Sequence, residues 1–234
     1  MAENNLRSRS KNSLLAGLLA GYLGLTECVY GSSLPKPNNL ESLLSDQNFE
    51  DQTKNAKPKL DKSKLARLAI AEKILPLIPE KYRPKMSDII TFDKARAFAV
   101  AFPEPQRSRI MQNAMFVWFP RDPAERPTIY VSLESDYMEK VLTDFKAERD
   151  ESPFYLVFAG VLAEDGYKLH NRELSEAEGR AVQITVVEKF VAEGRFEKFR
   201  GRINIASYLN TLKAQLAEEQ AKEQRAIPSR PKHN

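Results

Sequence analysis

The sequence predicts an α+β domain. Two central helices and a long C-terminal helix lean on a small antiparallel sheet. Three observations carry this. Residues 153–163 form an apolar run with almost no polar face. Residues 175–191 repeat apolar side chains at helical spacing behind a capping sequence. Between residues 95 and 133, three short segments carry small, branched and aromatic side chains at strand length.

With 234 residues, 42% of them apolar and 29% charged, the chain has room for one core of moderate size and for tails. The net charge is +4, and the bases are interleaved with acids. No Arg-rich run with aromatics marks a nucleic-acid surface, so no nucleic-acid partner is expected.

At the N-terminus, Arg7, Arg9 and Lys11 precede the apolar segment LLAGLLAGYLGL, Leu14 to Leu25, and a small-residue stretch follows. This is the order of a secretory signal peptide. The segment is shorter than the roughly 20 residues that span a bilayer. Val29 and Gly31 place a cleavage after Gly31. Residues 1–31 therefore read as a signal peptide or, uncleaved, as an N-terminal membrane anchor, with Gly17 and Gly21 at small-xxx-small spacing. The chain is expected in the periplasm or secreted. Cys28 is the only cysteine, so no disulfide framework is expected, and Glu27 before it speaks against lipid attachment.

Residues 32–60, with Pro35, Pro37 and Pro58 among polar side chains, read as a disordered linker. Leu40, Leu43, Leu44 and Phe49 could form one docking turn within it. A single domain then spans 61–218, and 219–234 form a polar tail. Leu65, Leu68, Ala69, Ala71, Ile74 and Leu75 make a short amphipathic helix closed by Pro76 and Pro79. The three strands are Ala95 to Ala101, Ala114 to Phe119 and Thr128 to Leu133, with Trp118 and Phe119 placed in the core. A helix over 132–145 follows, with Ser135 as N-cap.

Tyr155, Val157, Phe158, Val161 and Leu162 belong to a buried helix that is expected to stop at Gly166. Ser175 and Glu178 have capping-box spacing and open the second central helix, whose stripe includes Ala177, Ile184, Val187 and Phe190. The last helix runs from Phe196 to Leu216 with an interruption near Gly201, and fraying is expected from Glu218 onward.

An apolar helix, the run V-L-A-E-D-G-Y, a short turn, S-E-A-E-G-R-A and a helix ending V-E-K-F together resemble the core of a zincin-type metallopeptidase. In that family, two histidines of H-E-x-x-H share a zinc ion, the Glu polarises its water, and a following helix brings an acidic third ligand. Ala163 stands at the first His, Glu164 at the general base, Tyr167 at the second His and Glu176 near the third ligand. Both imidazoles are missing, so the resemblance implies a degenerate, non-catalytic copy. Its remnant site would be Glu164, Tyr167, His170 and Glu176, with no catalytic residue, no bound metal and no cofactor. Read without the resemblance, Glu164 is a carboxylate near a helix C-terminus, opposed by the dipole and cheap to remove. His170 and His233 are the only histidines.

The expectation is thus an exported binding or assembly protein of the cell envelope with a protein or peptide partner. One alternative is a hydrolase holding a divalent metal on Glu164, Asp165, Glu173 and Glu176, a set suited to calcium or magnesium. Another is a cytoplasmic interaction protein that docks through its N-terminal apolar helix.

Overall fold

The computed structural model describes residues 28–31 and 61–226, apart from 103, 105, 113–114, 121, 123 and 172–174. Residues 1–27, the linker 32–60, Glu173, His233 and the end of the tail lie outside the described residues.

Strand β1 (Cys28–Gly31) comes first. Helix α1 (Lys62–Leu68) is capped by Asp61, whose carboxylate accepts the Ser63 N–H. It runs on through a π-helical turn, Ala69–Ile74, and a 3₁₀ turn, Leu75–Leu77, before Pro79. Two more 3₁₀ turns, Glu80–Tyr82 and Met86–Asp88, lead into β2 (Ile89–Phe92). Short helices α2 (Ala95–Ala99) and α3 (Gln106–Gln112) precede the hairpin of β3 (Met115–Pro120) and β4 (Thr128–Ser132). Then come α4 (Asp136–Lys146), α5 (Pro153–His170), α6 (Glu176–Ala192), a 3₁₀ turn at Glu197–Phe199, and α7 (Ile205–Ala226).

The architecture is α+β, with helices predominating. The sheet, however, is mixed rather than antiparallel. Its order is β1-β3-β4-β2, and only β3 and β4 run antiparallel. β1 pairs parallel with β3, Cys28 opposite Val117, and β2 pairs parallel with β4, Ile89 opposite Ile129. β3 and β4 are consecutive strands and pair antiparallel, whereas α2, α3 and β3 separate β2 from β4, a connection long enough for the parallel sense.

The segment 95–101 is a short helix, Ala95–Ala99, and a turn, not a strand. Its alanines favour helix, and the carboxylate of Glu134 accepts the Ala95 N–H at 2.9 Å, satisfying a donor of the first turn. Phe98 and Phe102, one turn apart, have ring centroids 5.0 Å from each other. The third strand of the central hairpin region is instead β2, four residues long, whose short I-I-T-F run carries little periodic signal of its own.

Every residue of β3 is buried, because helices cover both sheet faces. Met115, Val117, Phe119, Ile129 and Val131 face the main core with α5. Phe116, Trp118 and Tyr130 face a smaller aromatic core with Phe92, Phe98 and Phe102. Trp118 and Phe119 are thus both interior, on opposite faces.

Helix α5 is the centre of the main core. Between Pro153 and Leu169 only Tyr167 is not fully buried. It passes through Gly166 without stopping. A Cβ there would stand 2.2 Å from the Tyr82 carbonyl oxygen and 2.6 Å from Pro84 Cδ. This glycine therefore permits a close crossing of backbone over helix rather than a turn. α5 ends at Asn171, whose side-chain amide donates to the Tyr167 carbonyl. α6 begins with the expected box: Ser175 Oγ accepts from the Glu178 N–H, and the Glu178 carboxylate accepts from the Ser175 N–H. Gly194, at φ +70°, closes α6, and Gly201, at φ +78°, turns the chain before α7. α7 continues past Glu218 to Ala226, because Glu219 and Glu223 reach back to α6.

Candidate functional site

Glu164 sits on the α5 face turned toward α6 and has no solvent exposure. An unpaired carboxylate in that position would be prohibitively costly. Two cations answer it. Glu164 Oε1 accepts from Lys168 Nζ at 2.9 Å, and Oε2 accepts from Arg180 Nη1 at 3.1 Å. Lys168 is one turn further along α5, with the acid N-terminal to the base at i,i+4 spacing. Arg180 comes from α6.

The network continues in both directions. Lys168 Nζ also donates to Glu176 Oε2 at 2.6 Å, so one ammonium bridges the carboxylates of α5 and α6. Arg180 Nη1 donates to Gln183 Oε1 at 2.6 Å, and Nη2 reaches Glu219 Oε1 at 3.4 Å. Gln183 Nε2 then donates to the Tyr208 hydroxyl at 3.1 Å. Side chains of α5, α6 and α7 are thereby joined through one buried polar seam. Glu176 is its partly exposed end, in the first turn of α6 where a carboxylate suits the helix dipole.

Gly179 makes room for this seam. A Cβ there would lie 2.4 Å from Lys168 Cε and 3.2 Å from both Lys168 Nζ and Glu164 Cγ. The lysine stem crosses α6 at the one point where α6 has no side chain.

The electrostatics follow from burial. For Arg180, burial opposes the charge, but Glu164 and Glu219 outweigh it and hold the guanidinium above its usual value. Burial pushes Glu219 up, against the pull of Arg180. Burial raises the Tyr208 hydroxyl as well. Asp165, next to Glu164, is fully buried, and neither carboxyl oxygen has a hydrogen-bond partner. Burial first, and the neighbouring Glu164 and Glu176 next among the raising causes, hold Asp165 well above the ordinary carboxylate range, despite opposition from Lys168 and Arg180. It therefore keeps its proton to higher pH than an exposed carboxyl does.

Of the four residues singled out by the metallopeptidase resemblance, the fold brings together two. Glu164 and Glu176 meet on Lys168. Tyr167 packs edge-on against Tyr82, with ring centroids 5.3 Å apart. His170 is exposed on the last turn of α5. Glu164 is also not the end-of-helix carboxylate of the residue reading, since α5 runs six residues further to His170. Among the described residues, no group of three or more His, Cys, Asp and Glu is placed to hold a metal ion. Also among them, no helix is long and apolar enough to cross a membrane.

The sequence reading does not identify Lys168, Arg180, Gln183 and Tyr208 as partners of Glu164. One signal is present: Glu164 and Lys168 stand four apart in a mostly apolar helix, and Arg180 and Gln183 stand three apart in the next. A general base must reach a substrate proton. Glu164, enclosed and held by two cations, is arranged to fasten helices. No family model, curated protein or solved structure matches this chain.

Proposed function

We propose that this chain is a non-catalytic binding or assembly protein, similar to a zincin core in its helix pattern but without its chemistry, acting in the cell envelope through a protein or peptide partner. The observation that carries the non-catalytic reading is the enclosure of Glu164. The carboxylate that the resemblance puts in the role of general base has no solvent exposure and spends both oxygens on Lys168 and Arg180. With Ala163 and Tyr167 in place of imidazoles, a zinc ion would find too few ligands.

Elemental analysis of the full chain from metal-replete medium should give no stoichiometric zinc, and peptide libraries incubated with it should stay uncut. One tightly held zinc per chain, lost in Glu176→Ala and accompanied by peptide cleavage, overturns the reading. The envelope location rests on the N-terminal order of charge, apolar segment and small residues. Intact mass of protein from its native host tests it, with a mature start near Ser32 expected. Such cleavage also takes β1 from the edge of β3. A retained Met1 in a cytosolic fraction makes the location wrong.

A further inference from the structure

A cleft of about 640 Å³ opens beside the N-terminal end of α5, well away from the ionic seam. Pro153, Phe154 and Phe199 give it an apolar wall, and Lys140, Arg149, Lys198 and Arg202 bring four cations to its lining. Asp144 and Asp150 line it too, so four bases face two acids. Both acids are already engaged. Asp144 accepts from Arg149 Nη1 at 2.9 Å. The Asp150 carboxylate pairs with Lys73, which lies outside the lining, and its backbone carbonyl takes Lys198 Nζ at 2.9 Å. Lys198 Nζ also stands 5.2 Å from the centroid of the Phe199 ring. Lys140 and Arg202 are exposed and form no ion pair among the described residues.

We propose that this cleft binds a small amphipathic organic anion, a carboxylate or sulfonate carried on an apolar body. The size falls in the range of small-ligand sites, roughly 300–1,000 Å³. The aromatic wall takes the apolar body out of water. Lys140 and Arg202, unneutralised, take the charged head, and Lys198, held by its carbonyl contact, lies beside the Phe199 ring. An inorganic anion would use the cations and leave the wall wet, and a neutral ligand would leave the cations idle. The inference is independent of the reading of the α5–α6 seam.

The probe is anilinonaphthalene sulfonate, compared with uncharged phenylnaphthylamine, on the full chain. Saturable binding of the sulfonate at one site per chain is expected, displaced by decanoate and not by decanol. Lys140→Glu with Arg202→Glu, both at exposed positions, should leave the melting temperature in place and weaken the sulfonate by about tenfold or more. Each single reversal gives a second readout and should weaken it by a smaller factor. Sulfonate binding that does not saturate, that survives the double reversal, or that decanol displaces as well as decanoate, overturns the proposal. So does equal affinity for phenylnaphthylamine.

Discussion

Asp165 is costly to bury, a carboxyl with neither oxygen hydrogen-bonded and no exposure. Burial holds its proton on in the folded state. The unfolded chain releases that proton in the ordinary carboxylate range, from about pH 4. Above it the folded state binds more protons than the unfolded, so this residue lowers stability as pH rises, until the folded carboxyl itself titrates. Asp165→Asn removes the titration and keeps the shape. Its advantage over the parent in urea midpoint should grow from pH 4 toward neutrality, and a constant difference across that range would show that Asp165 is not held neutral. At this scale the sequence disclosed Glu164 and Asp165 as an acidic pair after an apolar run, and little of their surroundings. Four residues on, Lys168 lies about 40° round the helix from Glu164, while His170, six on, lies about 120° away. The face that matters is set by α6, and Arg180, Gln183 and Tyr208 reach it only after the helices pack.

Helix α5 and α6 approach closely because two glycines lie in their contact. Gly160 faces Val187, where a Cβ would stand 2.8 Å from Cγ2, and Gly179 admits the Lys168 stem. Gly166 does the same for the Tyr82–Pro84 segment, whose backbone cannot step aside as a flexible side chain can. Gly166→Ala should therefore destabilise by about 1–3 kcal/mol, the usual cost of overpacking, despite alanine's better helix propensity. A rise in melting temperature would mean that the crossing is looser than described. Phe158, 1% exposed and tilted against Tyr137 at 5.8 Å between ring centroids, is the test of the helix's own position. Phe158→Ala should cost about 3–5 kcal/mol, and a neutral melt would displace α5 from the core. Much at this scale was legible. The capping box at Ser175, the Ser135 cap and the apolar run of α5 are local signals, and each stands where the sequence puts it. The misplaced elements are those decided by neighbours. Gly166 resembles a stop until Tyr82 is seen against it, and 95–101 alternates like a strand until Phe98, with Phe102 just after it, finds the aromatic face of the sheet. The cleft was illegible, because its cations come from two stretches far apart in the chain, 140–149 and 198–202.

The whole molecule has a sheet with an aromatic core on one face and the α5-centred core on the other. α7 is the outermost of the three long helices and buries few large apolar side chains, Tyr208 and Leu212 chief among them. The polar seam supplies what that contact lacks: Glu164, Glu176 and Glu219 against Lys168 and Arg180, one element of the helical layer tied to the next. Buried ion pairs of this sort stabilise little relative to apolar replacements, yet removing one member strands the others without solvent. Glu164 is a fastening for three helices, whereas a remnant catalytic carboxylate would sit at the expense of stability. Equilibrium urea unfolding of Glu164→Ala decides between them. The fastening predicts a single cooperative transition and a loss of about 3–5 kcal/mol. A Glu164→Ala protein as stable as the parent, or more stable, contradicts it.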